Sequence, residues 1–139
     1  IYISTIDDLF EITLNFLSNA KKEVLVCSYL LTMPAVLIEL LKAKQRGCEV
    51  KVLIANDERN KPVRDFLVSN GIDARIWISP KGILHAKYIV VDCKRALIAS
   101  TNFTHDAMNN NYEIACIIRS KKDIQKLRES FLQEFRVSD

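Results

Sequence analysis

Apolar positions along the chain fall into two kinds of run that alternate. From about Asp7 to Asn19, Ile6, Leu9, Phe10, Phe16 and Leu17 recur near one helical face, with Ser4 or Thr5 as N-cap. Glu23 to Tyr29 is almost continuously apolar, as a strand buried on both faces requires. Val36, Leu37, Leu40 and Leu41 return to helical spacing between Pro34 and Arg46; Pro34 suits a first turn and Gly47 a helix end. Glu49 to Ile54 reads as a second strand. Asn60 is placed to cap a third helix, with Pro62 early in it, Phe66 and Leu67 facing inward and Gly71 after its end. Asp73 to Ile78 reads as a third strand. The order then changes. Ile83 to Val91, Arg95 to Ala99 and Tyr112 to Ile118 read as three closely connected strands, the first two joined by a hairpin at Asp92-Cys93-Lys94. A final helix over Lys121 to Arg136 places Ile124, Leu127, Phe131 and Phe135 on one face. The pattern predicts an α/β fold: a mixed, largely parallel β-sheet flanked by helices on both faces.

Composition narrows the class. The 139 residues suit one domain spanning 1–139, and 49% hydrophobic with 27% charged residues suits a globular chain. No apolar run approaches the roughly 20 residues of a membrane helix, and no signal peptide is visible. Because the chain begins at Ile1 without Met, it is expected to be a domain excised from a longer protein with further domains. The net charge of +3 is too mild to identify a nucleic-acid partner, so attraction to phosphates must be local. Cys27, Cys48, Cys93 and Cys116 are scattered and form no C-x-x-C, which predicts buried free thiols in a reducing, cytoplasmic setting. With two histidines and no ligand spacing, neither a metal nor another cofactor is expected.

The chemistry concentrates at His85 and Lys87, in the run Leu84-His85-Ala86-Lys87-Tyr88-Ile89-Val90-Val91-Asp92. Residues i and i+2 of a strand share a face, so a titratable imidazole stands beside a fixed cation, a pairing suited to attack on a phosphate. Taken alone, the same pattern also describes a half-exposed strand carrying two solvated side chains. Asp92 cannot complete a triad with His85: seven extended residues span roughly 23 Å. It is expected to fix the turn at the strand end. Ser100 and Asn102, after the next strand, can donate to phosphate oxygens, and Glu113 can hold an imidazole N–H. Each is equally compatible with ordinary turn or surface chemistry. His105, in a polar stretch, reads as a surface or helix-start residue.

Together these residues spell H-x-K-x4-D-x6-A-S-x-N with Glu113 beyond. This resembles the phospholipase D superfamily, whose motif is H-x-K-x4-D followed by x6-G-S-x-N. Ala99 departs from the usual Gly, which puts activity in doubt if the backbone there needs positive φ or close approach to substrate. The resemblance implies a phospholipase D-like α/β/α sandwich and a homodimer sharing one active site, because a single motif supplies one histidine where in-line displacement needs two groups. One His85 would attack phosphorus to form a phosphohistidine, and the other would protonate the leaving group and later activate water. Lys87 and Asn102, with Ser100, would bind the phosphate. Glu113 would orient an imidazole, including that of the partner, and Asp92 would be structural.

The fold does not choose the substrate. The short, single-motif chain resembles the nuclease-like branch, and Arg59, Lys61, Arg64, Lys81, Lys94 and Arg95 are available to flank the site. The expectation is therefore a metal-independent nuclease acting on DNA or RNA. A phospholipase D or phosphatidyl transferase is the alternative enzyme, and a catalytically silent nucleic-acid-binding module is the alternative of another class.

Overall fold

In the computed structural model, which describes residues 1–139, alternating side chains in the central strands feed two cores on opposite faces of one sheet. Strand β1 is Tyr2–Ile3, β2 Glu23–Ser28, β3 Glu49–Ile54, β4 Asp73–Ile76, β5 Tyr88–Val91, β6 Arg95–Ala99 and β7 Ile114–Ile118. They form a seven-stranded sheet in the order β1-β7-β6-β5-β2-β3-β4. Val24, Val26, Val50, Val52, Ile89 and Val91 pack on one side, Leu25, Cys27, Leu53 and Val90 on the other. Burial on both faces is why these stretches lack polar alternation.

Helices α1 (Leu9–Ser18), α2 (Pro34–Gln45) and α3 (Lys61–Ser69) cover the first face through Leu9, Phe16, Leu17, Val36, Leu40 and Leu67. Helix α5 (Lys121–Arg136) covers the second through Ile124, Phe131 and Phe135. The mixed sheet with helices on both faces is thus as expected. Parallel pairing is confined to β2–β3 and β3–β4, linked by α2 and α3; β5, β6, β7 and β1 add antiparallel. The switch follows from connection length, since a parallel neighbour needs a long crossover and β5–β6 has only a turn.

Local corrections have local causes. Helix α1 is capped by Asp8, whose carboxylate accepts from Glu11 N at 3.2 Å, instead of Ser4 or Thr5. Ile6 consequently lies before the helix and is 80% exposed. A short 3₁₀ turn, Glu58–Asn60, precedes α3, and Asn60 does not cap with its side chain. Its buried amide donates to Tyr29 O (2.7 Å) and Ala55 O (3.0 Å) and accepts from Leu31 N (3.2 Å), tying the exits of β2 and β3 together. Phe66 faces outward, leaving Leu67 as the buried residue of that helix. Strand β4 stops at Ile76, and β5 begins at Tyr88 rather than Ile83. Cys27 pairs with Tyr88 and β2 ends one residue later, so the segment before Tyr88 has run past its neighbour.

Candidate active site

The sheet topology brings the C-terminal ends of β2, β3, β4 and β6 and the N-terminal ends of β5 and β7 to one edge. In open α/β sheets, the carboxyl ends of the parallel strands are where ligands bind. His85 and Lys87 arrive there on the extended segment before β5. They are not on the strand itself, yet the side-by-side placement holds. Lys87 Nζ is 3.0 Å from His85 Nδ1 and 3.3 Å from Nε2. Near-equal distances to two nitrogens of one five-membered ring set the ammonium against the ring face.

Lys87 is the unusual member. It is only 8% exposed. No carboxylate lies within ion-pair distance, and its sole side-chain partner is His85. Burial therefore pushes the ammonium below its ordinary value, partly opposed by the field of Glu113. A desolvated cation without a counter-charge is a seat for an anion. Two solvated side chains on an edge strand, the bland alternative, do not describe it.

The other expected residues separate into two groups. Asn102 stands beside the β2 exit, lining a separate cavity with Leu30, Arg59 and His105. Its Oδ1 accepts from Leu30 N at 3.3 Å, which fixes the amide and leaves Nδ2 without a protein partner. Ser100 turns the other way, toward β7. Its hydroxyl donates to Glu113 Oε1 at 2.6 Å, and its Oγ accepts from Ile114 N at 3.0 Å. Extended geometry does not persist beyond Ala99: Ser100 lines the groove beside His85 and Lys87 with its hydroxyl engaged by Glu113, whereas Asn102 lines a different cavity. Glu113 also accepts from Asn111 Nδ2 at 3.2 Å and makes no bond to His85 of its own chain. Ala99 sits in β6, paired with Ala115, and donates its N–H to Lys87 O at 3.1 Å. Its φ is not positive, so the backbone argument for glycine does not apply at this position.

Asp92 lies at the opposite end of β5. Its carboxylate accepts from the backbone N–H groups of Lys21, Lys22 and Glu23, at 2.7 to 3.1 Å. Burial works to raise its carboxyl value, but the three backbone donors outweigh it and the net shift is downward. These bonds fasten the hairpin turn to the start of β2, at the end of β5 away from His85. His105 opens the short helix α4 (His105–Asn109), capped by Thr104, and is exposed.

Tyr29, at the exit of β2, was missed in the sequence. Its ring lies 5.4 Å from that of His85, tilted by 37°. Its only signal was position, at the C-terminal end of a buried strand. On the other side of His85, an open groove is lined by Ala86, Tyr88, Ile98 and Leu127.

The cations offered for a polyanion are not arranged for one. Arg59 pairs with Asp57, Lys61 with Glu58 and Arg64 with Asp65. Lys94 and Arg95 lie at the far hairpin beside Asp92, and the Arg95 guanidinium rests 5.1 Å from the centre of the Phe16 ring. Of these six, only Lys81 is left unpaired near this edge.

Comparison with known proteins gives a consistent picture. The profile described as "Cardiolipin synthase, PLD-like domain" matches residues 13–135. A cardiolipin synthase of Listeria welshimeri is 31% identical over 133 residues, covering 87% of this chain and 26% of that protein. One from Staphylococcus aureus is 27% identical over 135 residues, covering 90% of this chain and 26% of that protein. The chain thus spans about a quarter of the length of these relatives. Among solved structures, Nuc of Salmonella typhimurium, described as a phospholipase D family member, has a TM-score of 0.90 at 25% identity, with 99% of this chain and 93% of that one covered. The expectation of a nuclease is corrected: the matched profile and the named relatives are cardiolipin synthases, and the site lacks the track of free cations that a nucleic-acid backbone needs.

Proposed function

This chain belongs to the phospholipase D superfamily, and on that premise we propose that it catalyses phosphatidyl transfer on a phospholipid through a phosphohistidine intermediate. The observation that carries the reading is Lys87: a buried cation without a carboxylate partner, in contact with the imidazole of His85. Two further observations support a lipid. The groove beside the pair is apolar, with Ile98 37% exposed at its wall, and the curated relatives are named for a phospholipid product.

One His85, as neutral imidazole, attacks phosphorus. The N–P bond forms as the bond from phosphorus to the headgroup oxygen breaks. The partner's His85, protonated, transfers its proton to the departing oxygen. An acceptor alcohol then gives its proton to that same imidazole as its oxygen attacks phosphorus, and the N–P bond breaks. Both histidines return to their starting states, and water in place of the alcohol gives hydrolysis. Lys87 and the free Nδ2 of Asn102 hold the non-bridging oxygens, which gain charge in the transition state. Glu113, held by Ser100, orients the partner's imidazole. These 139 residues hold one motif histidine, since His105 lies in an exposed helix start, and the second imidazole is proposed to come from a second copy of the chain.

The test uses vesicles of phosphatidylglycerol labelled at phosphorus. Wild-type protein is expected to release glycerol and, after rapid alkaline denaturation, to retain label on the chain. His85→Ala is expected to lose both. Headgroup release with no label on the protein would replace the covalent mechanism, and absence of release from any phospholipid would overturn the assignment.

A further inference from the structure

His85 is the proposed nucleophile, and its own segment does little to hold it. The residue is exposed, on the extended stretch before β5 and outside any strand. Its ring nitrogens meet one protein group, Lys87 Nζ. An ammonium only donates, so that contact favours the imidazole while it is neutral. As an N–P bond forms, positive charge builds on the ring and the contact turns repulsive. Attack on phosphorus still needs the ring aimed, since a misplacement of about 1 Å can cost ~10²-fold in rate. Tyr29 is a neighbour that this change of charge does not disturb. Its ring centre lies 5.4 Å from that of His85, with the planes tilted by 37°, within the spacing that aromatic pairs adopt. Such packing needs no proton and survives charging of the imidazole.

Tyr29 is itself fixed from three directions. Its backbone carbonyl accepts from Nδ2 of the fully buried Asn60 at 2.7 Å. Its side chain packs on the core beneath α5. Its hydroxyl reaches Asp57 Oδ2 at 3.4 Å, a long contact that sets direction more than energy. Asp57 is held in turn: it accepts from Arg59 N, Nε and Nη2, each at 2.9 Å. Those bonds, led by the Arg59 side chain, keep the Asp57 carboxyl well below its ordinary value, so it remains an acceptor wherever an imidazole titrates. Arg59, Asp57, Tyr29 and His85 thus form one line of contacts, from the 3₁₀ turn after β3 across the exit of β2 to the nucleophile.

We propose that Tyr29, tethered through Asp57 to Arg59, is the positioning residue for His85, keeping the imidazole in one rotamer before and during attack. The inference rests on the phosphohistidine reading, and its test separates the two. The empty protein comes first. Three-bond carbon–proton couplings about χ1 of His85 are measured in wild type, Tyr29→Phe and Tyr29→Leu, with the exposed His105 as internal reference. Wild type and Tyr29→Phe are expected to show one rotamer, and Tyr29→Leu an average over several. Averaging in wild type, or a single rotamer in Tyr29→Leu, overturns the proposal; Tyr29→Met serves the same comparison should the leucine variant unfold. The second arm follows label arriving on the chain in a single turnover from the phosphatidylglycerol vesicles. Tyr29→Leu is expected to label about tenfold more slowly at an unchanged half-saturating lipid concentration. Tyr29→Phe and Asp57→Asn should each stay within about threefold of wild type, and the two combined should be no slower than the slower one alone. A raised half-saturating concentration at an unchanged rate makes Tyr29 a substrate contact and overturns the positioning role. Absence of label and of headgroup release in wild type overturns the parent reading, and the couplings then decide the placement of His85 by themselves.

Discussion

Lys87 holds the strongest energetic argument in the molecule. A lysine 8% exposed and lacking a carboxylate costs stability in the empty protein. Lys87→Met keeps the volume and removes the charge, so it is expected to unfold at equal or higher temperature while headgroup release falls about 10²-fold or more. Calorimetry beside the release assay checks both. The lowered folded value has a definite sign. Between that value and the ordinary 10.5, the unfolded chain binds more protons, so the empty protein gains stability as pH rises through the window. Sulfate, whose charge is constant there, needs the ammonium. Its affinity is expected to fall over the same window, below the pH at which an ordinary lysine titrates. Titration calorimetry showing pH-independent sulfate binding would remove Lys87 from the anion seat.

At the scale of elements, the β5–β6 hairpin carries the site at one end and its anchor at the other. Asp92 and Cys93 turn the chain with φ of 57° and 54°, the positive values that favoured hairpin turns use. The Asp92 carboxylate fastens that turn to the start of β2 through three backbone donors. Asp92→Asn tolerates the same backbone but loses the charge and one acceptor oxygen. It is expected to cost about 2 kcal/mol in urea unfolding, with headgroup release per folded molecule preserved. Because its folded carboxyl value is lowered, this contribution is present above the ordinary 3.8 and is lost as pH falls through the folded value. Loss of turnover in fully folded Asp92→Asn would return the residue to the chemistry.

At the scale of the whole molecule, each chain brings one motif histidine, and the proposed reaction uses two. If a two-fold pair completes the site, one inactive subunit disables its partner. Mixing wild type with an equal amount of His85→Ala, after subunit exchange, should leave about a quarter of the activity, since only doubly wild-type pairs work. A half would indicate independent subunits. Much of this architecture was legible in the sequence: the α-β alternation, the strand cores, the hairpin, the His85–Lys87 pair and the distance of Asp92 from it all follow from periodicity and spacing, which are local. What the tertiary structure decided depends on groups far apart in sequence. Burial stripped Lys87 of water and of any counter-charge. Glu113 engaged the Ser100 hydroxyl from thirteen residues away, and Asn60 became a brace between strand exits instead of a cap. Tyr29 came to wall His85 across more than fifty residues of chain. Pairing patterns reveal which side chains share a face; only the closed fold determines which of them remain without a partner, and that remainder is where the proposed ligand site lies.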